Sequence, residues 1–443
     1  MFDLNQLRQY AIPFKENNMN YDAILSSIGD CRFALLGEAS HGTTEFYRER
    51  CQITKKLIEQ KGFNAIVIEG DWPDSYRVND YIKGQSSDSD LLTALQGFQR
   101  FPTWIWRNEE VFDFLNWLKI FNERVYLKSN MVGFYGMDIY SLFTSMEVVL
   151  GYLKKVDPVL AQKAKKRFAC FDHYNKDSQL YGYLSSYDKK LHGCEKEVVE
   201  QMSEFLKMKE YLQALGSAKK DELFSTMQNT RLIKNAEVYY RTMFGGKASS
   251  WNIRDQHMVE IIIEVDRHLS KELNTPAKII VWAHNSHLGD ARATQQSLSG
   301  ELNVGQLMRQ RYTSEVFLLG FTTYEGYVTA APEWDASAQR KSINPGIEGS
   351  YEKLFHQLGF ERFLYIFKDS PQLGEVFPKM LLERAIGVVY LPESERRSHY
   401  FYANIANQFD AVMHIDVTKA LKPLEKYAPS PKEDAPETFP SGL

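Results

Sequence analysis

Residues Arg32–Gln60 read RFALLGEASHGTTEFYRERCQITKKLIEQ. Phe33–Leu36 is an apolar run too short for a helix and suited to a buried strand. A polar turn with two glycines follows. From Thr44 to Gln60, Phe46, Ile53, Leu57 and Ile58 return to one side while charges take the other, which is helical spacing. Strand, polar turn, helix is the repeating unit of α/β architecture. The pattern recurs outward along the chain. Asn64–Ile68 (NAIVI) is a second strand, closed by Glu69, Gly70 and Asp71. Met131–Tyr135 is a third and runs into GMDIYS. Lys278–Trp282 (KIIVW) runs into AHNSHLGD, and Val316–Leu319 into GFTTYEG. Phe363–Phe367, Val388–Leu391 and Ala411–Ile415 complete the set of expected strands. Helical patterns fill Asp74–Lys83, Asp88–Gln99, Asn108–Asn122 and Trp251–Leu273, the last capped by Ser249 or Ser250. This alternation predicts an α/β fold with a central, mainly parallel sheet flanked by helices.

Residues 143–245 interrupt the alternation. They are rich in Lys, Glu, Gln, Leu and Tyr and poor in strand-like runs, so they read as a largely helical insertion. The expected organisation is a core in two parts, 1–142 and 246–422, with that insertion between them. Residues 423–443 carry five of the fifteen prolines and read as a poorly ordered tail. No internal repeat is present.

Composition removes several classes of function. Among 443 residues, 53 are basic and 57 acidic, a net charge of -4, which offers no field for nucleic acid or an anionic membrane. Hydrophobic residues make up 44% and charged residues 25%, ordinary values for a globular chain. The longest apolar runs, such as Ala277–Ala283, fall far short of the roughly 20 residues that span a bilayer. Met1–Tyr10 lacks a signal-peptide apolar segment. Cys31, Cys51, Cys170 and Cys194 stand apart, with no CxxC pair, so no disulfide framework or cysteine zinc site is expected and a cytoplasmic home is the default. There is no Walker A loop, HExxH, GxGxxG or GxSxG.

Ligands of parallel sheets gather at the carboxyl ends of strands. Those ends here deliver Glu38, Ser40 and His41; Glu69, Asp71 and Trp72; Asp138 and Tyr140; His284, Asn285, His287 and Asp290; and Thr322, Thr323, Tyr324 and Glu325. Each has a plainer reading taken alone. Glu38 and Glu69 could be buried acids paired with Arg50 or Arg77, His41 a helix cap, Asp138 another. His284 and His287 have a spacing open to a divalent metal or a mere turn face. Of the other histidines, His173, His192, His356 and His399 read as surface residues, His268 as a helix-end charge, His414 as structural, and His257 as a possible neighbour of the site. The conjunction is what carries chemistry. A histidine can take a proton from water, a carboxylate can hold its tautomer, and a second histidine or an arginine can donate to an oxyanion. That inventory suits hydrolysis of an ester by activated water.

The blocks LLGEASHGTTEFYRER (Leu35–Arg50), GFNAIVIEGDW (Gly62–Trp72), GMD (Gly136–Asp138), WNIRDQHM (Trp251–Met258), WAHNSHLGD (Trp282–Asp290), NVGQLM (Asn303–Met308) and LGFTTYEGYVTAA (Leu319–Ala331) together resemble the erythromycin esterase family. The resemblance implies an enzyme that opens carboxylic esters, including macrolide lactones, by water attack. It assigns catalytic roles to Glu38, His41, Glu69, His284 and His287, with either His41 or one of the later histidines as proton acceptor. Arg50, Asp138, Tyr140, Trp72 and Arg77 are the candidates for binding substrate. It also implies that the helical insertion forms one wall of an open cleft. No cofactor is required, although His284 and His287 leave room for a divalent metal. Some relatives are labelled succinoglycan biosynthesis proteins, so the small-molecule substrate could equally be an acylated sugar, and a non-catalytic binding homologue is a third reading. FPTWIWR (Phe101–Arg107), Tyr174, Tyr181, Tyr183 and Tyr187 could pack on either ligand, or simply fill the core.

Overall fold

The computed structural model describes residues 3–15, 21–187, 193–214, 220–244 and 247–425. Eleven strands form among them: β1 (Ile12–Pro13), β2 (Phe33–Leu36), β3 (Ala65–Asp71), β4 (Gly133–Asp138), β5 (Ile279–Trp282), β6 (Val316–Ala330), β7 (Gln339–Ile343), β8 (Arg362–Ile366), β9 (Leu381–Arg384), β10 (Tyr400–Ala403) and β11 (Ala411–Thr418). The main sheet runs β1-β8-β11-β6-β2-β5-β3-β4, with β7 hairpinned onto β6. From β11 to β4 every neighbouring pair is parallel, while β8 and β1 add an antiparallel edge. The expected α/β architecture is therefore present.

The central strands are buried on both faces because their residues alternate between two cores. Phe33, Leu35, Val67, Ile279 and Val281 join one cluster. Ala34, Leu36, Ile66, Ile68, Ile280 and Trp282 join the other. Period-two alternation with apolar residues on both sides is what a sheet covered by two helical layers requires. The helices Thr44–Lys61 and Glu109–Glu123 cover one face through Phe46, Ile53, Leu57, Phe114 and Leu118. The helices between β4 and β5 cover the other. They are Leu142–Val156, Pro158–Phe168, Ser178–Tyr187, Glu195–Ala214, Lys220–Thr242 and Lys247–Leu273.

Several details differ from the sequence reading. Val388–Leu391 is not a strand; Val389 makes one isolated bridge to Ala331 and the run lines a cavity. An apolar run buried against a cavity has the same composition as one buried in a sheet. β6 continues to Ala330, so Thr322–Glu325 lie inside a strand rather than at its end. The last long helix begins at Lys247, leaving Ser249 and Ser250 within it. Cys170 and Cys194 form a disulfide, with Cα atoms 5.9 Å apart, because the packing of the inserted helices brings together cysteines that are remote in sequence. Residues 426–443, most of the expected tail, lie outside the described residues; Leu424 donates its N–H to Arg107 O and Glu425 pairs with Arg107. No helix among the described residues is long and apolar enough to cross a membrane.

Candidate active site

Four neighbouring strands, β2-β5-β3-β4, put their carboxyl ends side by side. In register, Leu36, Trp282, Ile68 and Gly136 form one row across the sheet. Glu69 stands one residue beyond this row, and Glu38, His284 and Asp138 stand two beyond it, so the strand ends deliver all four to one rim. The extensions of β2 and β5 stay joined, since Asn285 donates its N–H to Glu38 O at 2.8 Å. Gly37 permits this closeness: a Cβ there would stand 2.2 Å from Asn285 Oδ1.

His41 lies 2.9 Å from Glu38 Oε1 through Nδ1. Glu38 Oε2 is 2.8 Å from Arg50 Nη2, an ion pair with both side chains buried. Arg50 is held between aromatic rings, 4.4 Å from the Tyr47 centroid and 5.2 Å from that of Trp282. A carboxylate accepting from Nδ1–H leaves His41 Nε2 with a lone pair. The His284 ring stands 5.0 Å from the His41 ring, centroid to centroid. Its Nδ1 accepts the N–H of Ser286 at 3.2 Å, which puts the proton on Nε2. That Nε2 is buried without a hydrogen-bond partner. Burial, and then the neighbouring His41, push the His284 pKa down to about 3, so the ring is a neutral donor.

Beneath this pair lies a charged lattice. Glu69 Oε2 accepts the His284 N–H at 2.9 Å, and Glu69 Oε1 meets Arg254 Nη2 at 2.8 Å. Arg254 also forks onto Asp138, at 2.9 and 2.8 Å. Burial raises the Glu69 pKa, but His287, His41 and Arg254 outweigh it and hold the group well below the usual carboxylate range. His287 Nδ1 lies 2.9 Å from Asp255 Oδ2, and its ring stacks on Trp251 at 4.3 Å. Its Nε2 sits between Glu69 Oε1 at 3.3 Å and Arg254 Nη1 at 3.1 Å. The cationic ring donates to Glu69; the neutral ring accepts from Arg254. Burial opposes the charge, yet Asp255 and Glu69 prevail and raise the His287 pKa to about 9.

His41, Glu69, Asp138, Arg254, His284 and His287 line one cavity of about 260 Å³. Its apolar lining is Phe98, Phe101, Ile105, Trp106, Val388 and Leu391. A second cavity of about 550 Å³ shares Arg100 and Phe101 with it and is walled by Tyr140 and, from the inserted helices, Tyr239, Tyr240 and Met243. Among the described residues no three His, Cys, Asp or Glu side chains group as metal ligands, and both nitrogens of His287 are engaged.

The sequence model of the erythromycin esterase family matches residues 58–418. The chain belongs to the erythromycin esterase family. Membership places it among hydrolases at the level of the family. It is 24% identical over 432 residues to erythromycin esterase type II of Escherichia coli, covering 91% of this chain and 95% of that one. It shares its fold with a succinoglycan biosynthesis protein, at a TM-score of 0.75, 18% identity and coverage of 95% and 98%. An erythromycin esterase mutant, EreC in its open conformation, superposes with a TM-score of 0.65 at 16% identity, over 93% and 96% of the two chains.

Of the residues expected at the site, Glu38, His41, Glu69, His284, His287, Arg50 and Asp138 come together. Arg50 does so from behind Glu38, fully buried and outside the cavity wall. Trp72 does not reach the cavity; it is buried in the core, stacks on Tyr135 and donates to Ser225. Arg77 also lies elsewhere, paired with Asp88 at 2.6 Å. Tyr140 is buried under Arg100 and Arg254 and borders the second cavity, not the first. Ser40 is tied to the Thr43 hydroxyl. Thr322 bonds His414, and Tyr324 stacks on His356. His399 is buried and lines the cavity, contrary to its surface reading. His257 is buried beside Asn235 and does not line it. His192 lies outside the described residues. Tyr174 and Tyr181 pack edge to face within the inserted helices. The sequence reading missed Trp251, Arg254 and Asp255. Their spacing puts all three on one helical face, and WNIRDQHM was the available signal.

Proposed function

We propose that this cavity hydrolyses a carboxylic ester by attack of water activated at His41. The observation that carries the reading is the pairing of two histidines in complementary states, His41 with Nδ1 engaged by Glu38 and His284 with an unpartnered Nε2–H. Water on His41 Nε2 gives up its proton as it adds to the ester carbonyl carbon. Glu38, backed by Arg50, accepts Nδ1–H and steadies the imidazolium that forms. The His284 Nε2–H donates to the oxygen on which charge develops, inside a buried site. Glu69 holds His284 through its backbone N–H, and Arg254 and His287 hold Glu69.

The cavity, about 260 Å³, is smaller than the ~300–1,000 Å³ of sites that enclose a drug-sized ligand. This favours entry of the ester end of a substrate, with the remainder lying over the apolar wall or the second cavity. The candidate substrates are a macrolide lactone and an acylated sugar. Side-by-side assay of both classes distinguishes them. His41→Ala is expected to fold with an unchanged melt and to lose essentially all turnover. Wild-type turnover in that variant removes His41 as the base. Tight binding without turnover by the wild-type protein makes it a binding homologue instead.

A further inference from the structure

His41 takes a proton and His284 donates a hydrogen bond. The departing alcohol also needs a proton, and either the His41 imidazolium or a second acid at the cavity has to deliver it. Four carboxyl groups line the cavity, and three are committed. Glu69 serves Arg254 and the His284 N–H. Asp71 Oδ1 accepts the N–H groups of Tyr140 and Ser141, and its Oδ2 faces Arg100. Asp138 is forked by Arg254 and accepts the Ile139 N–H. The fourth is Asp74, in the first turn of the helix Trp72–Ile82. It lines the same cavity as His41 and His284, and among the described residues its carboxyl makes no hydrogen bond or ion pair. Gly97 makes room for it, since a Cβ there would stand 2.8 Å from Asp74 Oδ1.

We propose that Asp74 is the general acid that protonates the departing alcohol, an inference that rests on the ester-hydrolase reading of this cavity. Water adds to the carbonyl carbon: the new C–O bond forms, one proton passes to His41 Nε2, and the carbonyl electron pair moves onto oxygen beside His284. The intermediate then collapses. The carbonyl re-forms, the bond to the alkoxy oxygen breaks with its electron pair, and the Asp74 proton goes to that oxygen. Acid and alcohol leave, and the proton on His41 returns through water to Asp74.

The protonation state agrees. Burial first, and the neighbouring Asp71 second, push the Asp74 pKa up to about 7, against Arg100 and Arg77. The other titratable and charged groups lining the cavity are Glu69, Asp138, Arg254, His41, His284, His287 and His399.

Two esters of one acid separate this role from a structural one. Para-nitrophenolate leaves without a proton; an ethyl alkoxide does not. On Asp74→Asn and Asp74→Ala, kcat for ethyl butyrate is expected to fall on the order of 100-fold or more, while para-nitrophenyl butyrate is turned over within about threefold of wild type. The wild-type enzyme supplies a readout that needs no variant: its ethyl-to-nitrophenyl kcat ratio should fall as pH rises through about 7. Equal loss on both esters, no loss on either, or a ratio independent of pH overturns the role of Asp74 and leaves the hydrolase reading standing. A wild-type protein that turns over no ester overturns both.

Discussion

At the scale of single residues, the site depends on which atoms are already occupied. His41 and His284 stand 5.0 Å apart, yet hydrogen bonding makes them opposites. Nδ1 of His41 is engaged by Glu38, so Nε2 accepts; Nδ1 of His284 accepts from Ser286, so Nε2 donates. The same residue type thereby supplies both halves of acid–base chemistry. Glu38→Gln tests the first half. The amide oxygen can still accept Nδ1–H, but it carries no charge to stabilise the imidazolium. Turnover should drop on the order of 10²–10⁴-fold with little change in KM. An unchanged kcat would show that Glu38 only supports the fold. Glu38, His41, Glu69, His284 and His287 were legible because each lies at the carboxyl end of a strand or in the short turn that follows it. Trp72 and Arg77 were misread because their chain position says nothing about which way a helical side chain turns.

At the scale of elements, the helix Lys247–Leu273 brings Trp251, Arg254 and Asp255 to the carboxyl ends of β3, β4 and β5. Arg254 locks this helix to the sheet by bridging Glu69 and Asp138, both buried. Removing one partner of a buried ion pair strands the other charges in a medium of low polarity. Arg254→Met should therefore destabilise the protein by about 3–5 kcal/mol in chemical denaturation. Adding Asp138→Asn should restore part of that loss; no recovery would mean that the arginine acts by packing alone. The segment following β9 shows the reverse case, an apolar run without regular structure. Its Val388 and Leu391 were read as a strand because hydrophobicity reports burial and not the surface buried against.

At the scale of the whole molecule, buried histidines with opposed shifts set the pH range of stability. The pKa values of His257 and His284 are depressed to about 3 and that of His399 to about 4, chiefly by burial. Below the ordinary value of 6.5 the unfolded chain takes up protons that the native fold refuses, so stability falls as pH drops from there. His287 behaves in the opposite sense. Its raised pKa contributes stability that is complete below 6.5 and is lost as pH climbs through about 9. Tm should peak near neutrality and decline on both sides, and Asp255→Asn should flatten the alkaline decline while leaving the acid one. A Tm that rises steadily toward pH 9 would contradict the His287–Asp255 pair. The α/β class, the parallel order and the motif-bearing strand ends follow from local information: alternation, helical spacing and polar residues after apolar runs are set by neighbours in the chain. Other features belong to the tertiary structure. Arg50 stands behind Glu38, Arg254 and Asp255 complete the site from a helix nearly two hundred residues further on, Cys170 meets Cys194, and Asp74 lines the same cavity as His41 and His284. Packing decides these, because a side chain's partners are set by which surfaces are buried together, and residues remote in sequence carry no local record of that meeting.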